Sequence, residues 1–340
     1  MTSDAGRDRT VGIAFDFEPG AIAAFEAISP HLHLRVADGS DQASIDRMAA
    51  DDLDGLVGRY LPSDRSKTPS LRWLQVLSAG VEHLVGEGTT WPAAIELTNA
   101  RGAYATSIAQ YTIAAILHVA EKVDRRREQQ RTGAWPDDRG DDLLGDSIRG
   151  KTLVIVGYGG IGREIARLAD AHGMRVVAVK ANPGVHADDG FRLPGTGDPD
   201  GSIPERIVGI DALDEVAADA DFMSVTLPLT ERSRGVVSRQ TLAALPAQAW
   251  LINTGRGPVV DETALAEVLA AGAIGGAVLD VFGEEPLPAS SPFWGLSNVV
   301  ITPHVSGAST AQLSGLVAEN LRRFLAGEPL LNRVEPERGY

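Results

Sequence analysis

Three short stretches of this 340-residue chain carry side chains suited to moving a proton beside an anion. "LINTGRGPVVDETAL" places Arg256 in a glycine-rich turn directly after an apolar run. "AVLDVFGEEPLP" has Asp280 at the end of another such run and Glu285 five residues on, and "VVITPHVSGAS" sets His304 after a third. A guanidinium binds a carboxylate through two parallel hydrogen bonds. An imidazole exchanges a proton near neutral pH, and a neighbouring carboxylate orients it and stabilises its charged form. Each residue also has a plain structural reading. Arg256 could pair with Asp261, His304 could cap a turn, and Glu284 and Glu285 could be surface charges. What favours chemistry is their shared position after apolar runs, because strand ends form the ligand crevice of an open α/β sheet.

A nucleotide-binding signature lies upstream. "LVIVGYGGIGREIARL" supplies Gly157, Gly159 and Gly162 in GxGxxG spacing, between an apolar strand and an amphipathic helix with Ile161, Ile165 and Leu168 on one face. The first glycine permits the tight turn, the second lets backbone approach a pyrophosphate, and the third allows close helix–strand packing. The helix amides near Gly160 and Ile161 point at the phosphates. The turn alone leaves the chemistry open, since a methyltransferase can share it. The next strand, "RVVAVK", ends in Lys180 where an acid usually holds the adenosine ribose of NAD. A lysine makes no bidentate ribose contact but attracts a 2′-phosphate. The expected cofactor is therefore NADP, with NAD as the alternative. With a reduced nicotinamide in place, Arg256, Glu285 and His304 meet the needs of 2-keto acid reduction: a carboxylate anchor, a proton donor and an acid behind it.

Composition narrows the remaining classes. With 31 Lys+Arg against 46 Asp+Glu the chain is acidic, which disfavours nucleic acid and membrane surfaces as main partners. It has no cysteine, so disulfides, thiolate nucleophiles and zinc–thiolate sites are excluded, and no metal site is expected. The amino-terminal segment is polar and no window approaches a membrane span, so a cytoplasmic location is expected.

The elements that must position these residues are legible as alternating runs. Strand-like segments fall at 10–15, 32–37, 55–60, 71–77 and 95–100, and a second series at 152–157, 175–180, 207–210, 221–228, 249–254, 276–281 and 298–302. Such alternation predicts helix-covered parallel sheets. Helical spacing predicts one long helix from Thr106 to about Arg131 and another over 309–327. The polar stretch 182–205 reads as a mobile loop beside the cofactor or a disordered insertion. The fold class is α/β, with two Rossmann-like or flavodoxin-like domains built on doubly wound parallel sheets. Residues 1–105 and 304–340 are expected to form a substrate domain, into which a dinucleotide-binding domain, 106–303, is inserted.

From roughly Leu74 to Leu325 the chain resembles the D-isomer-specific 2-hydroxyacid dehydrogenases, the group of phosphoglycerate dehydrogenase and glyoxylate/hydroxypyruvate reductase. The resemblance is carried, in the family's order, by "SAGVEHL", "TNARGAYATSIAQY", "GYGGIG", "LPLTERSRG", "INTGRGPVVDETAL", "LDVFGEEPLP" and "TPHVSG". It implies that Arg256, Glu285 and His304 are the catalytic set. It also implies cofactor contacts at Gly157, Gly159, Gly160, Ile161, Gly162, Lys180, Leu227, Pro228, Thr254, Gly255, Arg256, Asp280, His304 and Gly307. Among these, Asp280 matches a residue near the nicotinamide amide, Leu227 and Pro228 line the adenine side, and Thr254 and Gly255 supply backbone contacts. Ala79 and Gly80 match a loop whose amides meet the substrate carboxylate. The family commonly forms homodimers, with the helix from Thr106 at the contact. The implied activity is NAD(P)-dependent interconversion of a small 2-keto acid and a D-2-hydroxy acid, similar to glyoxylate/hydroxypyruvate reductase. Departures are Lys180 for the usual acid, Gln110 in a segment where "AE" is more common, and Ser233 for threonine. The rival reading is a non-catalytic dinucleotide-sensing protein on the same fold.

Overall fold

The computed structural model describes residues 7–85, 90–133, 135–138, 140–307 and 312–337. In chain order the elements are β1 (Arg9–Ile13), α1 (Pro19–Glu26), β2 (Leu32–Val36), α2 (Gln42–Met48), β3 (Gly55–Val57), β4 (Trp73–Gln75), β5 (Glu96–Thr98), α3 (Ala105–Ala120), α4 (Val123–Arg131), α5 (Gly140–Leu143), β6 (Thr152–Val156), α6 (Gly160–Ala171), β7 (Arg175–Val179), β8 (Arg206–Val208), α7 (Leu213–Ala217), β9 (Phe222–Val225), α8 (Arg239–Ala244), β10 (Trp250–Asn253), α9 (Glu262–Ala270), β11 (Gly276–Leu279), β12 (Val299–Ile301) and α10 (Leu313–Ala326). They gather into two compact units, Met1–Tyr104 with Asp189–Leu193 and Ser309–Tyr340, and Ala105–Asp188 with Pro194–Ala308.

In the first unit five parallel strands run in the order β2-β1-β3-β4-β5. Their apolar residues pack on both faces, with Val11, Ile13, Leu56, Val57, Trp73 and Leu74 fully buried. The end of the chain returns here as α10, which buries Leu313, Leu316, Val317 and Leu321. It stops at Gly327, whose φ of 67° is the left-handed cap that glycine takes without strain. Buried Asn320 on this helix donates to Gln75 Oε1 at 2.7 Å, tying the helix to β4.

The second unit has seven parallel strands in the order β12-β11-β10-β9-β6-β7-β8. The chain runs outward from β6 through β7 to β8, then starts again on the other side at β9. That reversal, between β6 and β9, is the topological switch point where α/β sheets bind ligands. Every residue of β6 is buried, as a strand covered by helices on both faces requires. Helix α3 packs on α6 across that face. Because all seven strands are parallel, their carboxyl ends lie along one edge of the sheet.

Two regions differ from the sequence expectation. The long helix is broken: α3 ends at Ala120, and Lys122 adopts a left-handed φ of 50° before α4 begins. Helix α4, with no buried residue, has no apolar face to keep it in line with α3. The stretch 182–205 has partners that its composition does not show. Arg163, 2 % exposed on α6, donates to the carbonyls of His186, at 2.5 Å, and Asp198. The Asp198 carboxylate accepts from Tyr158 Oη at 2.6 Å and from the amides of Ser202 and Ile203. A buried guanidinium needs acceptors, and here the loop supplies them.

Candidate active site

The glycine turn is built as its spacing requires. Gly157 leaves β6 with φ 111°, and a Cβ there would lie 3.0 Å from the Leu227 nitrogen. At Gly162 a Cβ would stand 2.2 Å from the Gly157 carbonyl oxygen, so only glycine lets α6 start this close to the turn. Gly159, the residue before α6, faces open space: a Cβ there would meet nothing within 4 Å. The first turn of α6, with Gly160 and Ile161, thus opens onto a clear approach for a phosphate. Thr226 Oγ1 donates to the Gly157 carbonyl at 2.7 Å, locking the ends of β6 and β9 together at the switch point. Across the next gap, a Cβ on Gly255 would lie 2.8 Å from the Leu227 carbonyl oxygen. Leu227 and Pro228 therefore sit between the glycine turn and the Thr254–Gly255 turn. The Thr254 hydroxyl is buried and meets no hydrogen-bond partner among the described residues. A glycine cradle with open space before it and an orphaned hydroxyl two strands away together fit a dinucleotide.

Farther along the same edge the catalytic candidates converge within one unit. Gly257, next to Arg256, presses on the β11 loop so closely that a Cβ would fall 2.0 Å from the Phe282 carbonyl carbon. That contact sets the Arg256 turn against the turn carrying Glu285. Arg256 itself is half-buried and donates to the Gly255 carbonyl at 2.8 Å. Glu285 Oε1 accepts from the Phe282 amide at 2.9 Å, leaving Oε2 to meet His304 Nδ1 at 2.7 Å. With Nδ1 facing the carboxylate, the imidazole's other nitrogen, Nε2, is the one available to a ligand. The His304 side chain is 50 % exposed.

Asp280 explains how His304 is held. Its carboxylate is fully buried and accepts from Thr302 Oγ1 at 2.6 Å, the Val305 amide at 2.9 Å and the Ser306 amide at 3.0 Å. The Asp280 carbonyl also accepts from the His304 amide at 2.9 Å. These bonds wrap the 302–306 segment round one side chain and hold His304 at a φ of 55°, a conformation that costs a non-glycine residue energy unless its surroundings impose it. Tyr111 on α3 continues the network through Thr302, 2.6 Å away, and burial raises its phenol above the ordinary tyrosine range. Gly307 follows this segment, half-buried.

Lys180 stands at the far end of the edge, after β7. Its ammonium donates to the Val185 carbonyl at 2.5 Å, so it helps fold back the start of the 182–205 loop. Read along the sheet, the candidates follow strand order: His304 after β12, Glu285 after β11, Arg256 after β10, Leu227 after β9, the glycine turn after β6 and Lys180 after β7. At about 4.8 Å per strand step the row of candidates spans roughly 24 Å. Ala79 and Gly80 belong to the first unit, after β4, where Ser78 Oγ donates to the Gly80 carbonyl at 2.7 Å and Asn99 Nδ2 to that of Ala79 at 2.9 Å.

Sequence reading passed over three residues, Thr226, Thr302 and Glu262, and for a fourth, Thr254, expected a backbone contact only. Thr226 and Thr302 act through hydroxyls on strand ends, the Thr254 hydroxyl is poised where only backbone contacts were expected, and Glu262 accepts from the Gly283 amide at 2.8 Å. The available signal was a polar residue directly following an apolar strand, which holds for the three threonines.

A doubly wound sheet with this phosphate turn and this acid–imidazole pair defines a dinucleotide-dependent dehydrogenase. Residues 113–306 match the family model described as D-isomer specific 2-hydroxyacid dehydrogenase, NAD binding domain. A glyoxylate/hydroxypyruvate reductase B of Yersinia pestis (strain Pestoides F) is 31% identical over 334 residues, covering 93% of this chain and 98% of the relative. Among solved structures, a D-isomer specific 2-hydroxyacid dehydrogenase family protein from Aeromonas salmonicida subsp. salmonicida A449 is 28% identical with a TM-score of 0.77, over 97% of this chain and 99% of that one. A D-isomer specific 2-hydroxyacid dehydrogenase from Xanthobacter autotrophicus Py2, in complex with NADPH and MES, is 29% identical with a TM-score of 0.76, over 98% and 100%.

The chain belongs to the D-isomer specific 2-hydroxyacid dehydrogenase family. It is an NAD(P)-dependent oxidoreductase acting between 2-keto and 2-hydroxy acids, and the comparisons lend no support to a non-catalytic sensor. Among the described residues no helix is long and apolar enough to cross a membrane.

Proposed function

We propose that the enzyme reduces a small 2-keto acid of the glyoxylate or hydroxypyruvate type, with NADPH preferred over NADH. The observation that carries this reading is the 2.7 Å contact between His304 Nδ1 and Glu285 Oε2. When bound, the reduced nicotinamide supplies a hydride to the carbonyl carbon. His304 donates the Nε2 proton to the carbonyl oxygen as negative charge develops there, and Glu285 stabilises the imidazolium before transfer. Arg256 holds the substrate carboxylate through its guanidinium. The glycine turn and the first amides of α6 hold the pyrophosphate, and the Thr254 hydroxyl offers a further contact. The assignment of the Ala79 and Gly80 amides to the substrate carboxylate rests on the family resemblance, as does a homodimer. A cytoplasmic location is the compartment we infer for it.

The preference for NADPH rests on Lys180. A lysine at the tip of β7 attracts the 2′-phosphate and cannot bind the ribose hydroxyls as an acid does. It is supported by the NADPH carried by the Xanthobacter relative. A panel of 2-keto acids assayed with NADH and NADPH in parallel tests both halves of the proposal. Glyoxylate and hydroxypyruvate should be turned over with NADPH, and Lys180→Asp should lower kcat/KM for NADPH by about tenfold or more with little loss for NADH. Equal rates with both coenzymes, unchanged in the variant, would remove Lys180 from recognition.

A further inference from the structure

The loop that presents Glu285 is gripped by a second acid. The amides of Phe282 and Gly283 are consecutive; the first donates to Glu285 Oε1 at 2.9 Å and the second to Glu262 Oε1 at 2.8 Å. Glu262 is the first residue of α9, so it approaches the loop from a different element. Its other oxygen lies 2.8 Å from where a Cβ on Gly283 would sit, so the carboxylate lies flat against the loop backbone. Burial, and after it the charge of Glu285, raise the Glu262 carboxyl above the usual range, while the Gly283 amide opposes them.

We infer that Glu262 is an outer positioning residue of the site: it anchors the Glu285 loop, and it sets a second negative charge behind the acid that meets the His304 imidazole. This deepens the reading of His304 as proton donor and rests on it. Two carboxylates hung on adjacent amides share one local field, and a cation bonded to the nearer one feels both. Glu285 supplies the contact and Glu262 adds charge behind it. The ionisable groups brought near Glu262 by the surrounding elements carry both signs. Asp261 on its own helix is occupied as a cap, accepting from the Ala264 amide at 2.9 Å. Arg234 lines the same surface groove as Glu262, beside Ser238, Thr263 and Gly283. The β11 loop contributes Glu284 and Glu285, and the β10 turn contributes Arg256, one residue from the Gly257 contact with Phe282.

Glu262→Gln separates anchor from charge, because the side-chain amide oxygen still accepts from Gly283. The variant should melt with the wild type. Its alkaline limb for keto-acid reduction should move about half a pH unit lower, so that kcat/KM on that limb falls about threefold while the plateau changes little. The acid limb for hydroxy-acid oxidation should shift in the same direction, because one imidazole governs both. Glu262→Asp, which retains the charge, should return the limb toward the wild-type position. A Glu262→Gln profile superimposable on that of the wild type, or displaced upward, overturns the inference and reduces Glu262 to a structural anchor. Failure of the underlying reading looks different: the wild type itself would then lack an alkaline limb that disappears with His304.

Discussion

His304→Gln is expected to lower kcat for keto-acid reduction by about a thousandfold while NADPH affinity stays within about threefold, since a positioned general acid contributes on the order of 10²–10⁴ in rate. Glutamine retains hydrogen-bonding capacity toward Glu285 but carries no proton that it can release at neutral pH. The loss should therefore fall on the chemical step. Direction of pH dependence follows from the same geometry. With His304 as the proton donor, reduction would require the imidazole protonated at Nε2, so the wild-type rate should decline as pH rises through the alkaline limb. Oxidation would require it deprotonated and should decline as pH falls. In the variant both limbs should flatten. Steady-state kinetics across pH, with NADPH binding followed separately by nicotinamide fluorescence, check the result. Turnover undiminished in the variant would mean that water or another side chain supplies the proton. Loss of NADPH binding instead of turnover would mean that His304 serves the cofactor rather than the carbonyl.

The parts of this molecule that could be read in advance are those whose physics is local. The inner strands β6, β9 and β11 of the second unit are short, fully buried runs because both sheet faces are covered there, and a run such as "TLVIV" has no other reading once a glycine turn follows it. The row of site residues was legible for the same reason: Arg256, Glu285 and His304 each follow a strand, and parallel strands put their ends on one edge. What escaped depends on partners distant in the chain. Nothing in "EKVDRRR" marks Lys122 as the residue that turns left-handed and splits the helix. The stretch 182–205 is polar and rich in glycine and proline, which reads as a mobile loop or a disordered insertion, and composition does not reveal that a guanidinium on α6 donates to two of its carbonyls. Lys180 was legible as a charge at the tip of β7, but its bond to the Val185 carbonyl was not. Backbone amides carry no sequence signature at all, and so neither Glu262 nor the full task of Asp280 could be seen.

Asp280 is the case where resemblance and geometry pull toward different experiments. The family resemblance sets this position near the nicotinamide amide. In the structure both carboxylate oxygens are committed to the segment that carries His304: Oδ1 to Thr302 and Val305, Oδ2 to Ser306. In Asp280→Asn one of these oxygens becomes an NH₂ group that faces donors in a fully buried place. A buried polar group left unsatisfied costs about 1–3 kcal/mol, more when the lost partner was charged, so the unfolding free energy should drop by roughly 2–3 kcal/mol. The strained φ at His304 would lose part of what imposes it, and a displaced imidazole of even 1 Å costs on the order of a hundredfold in kcat. If Asp280 positions the histidine, stability and kcat fall together and the KM for NADPH changes little. If instead it serves mainly as a nicotinamide contact, the KM for NADPH rises while the melting temperature holds. Thermal unfolding read beside coenzyme kinetics on this one variant decides between them, and three hydrogen bonds from the His304 segment onto one buried carboxylate favour the first result.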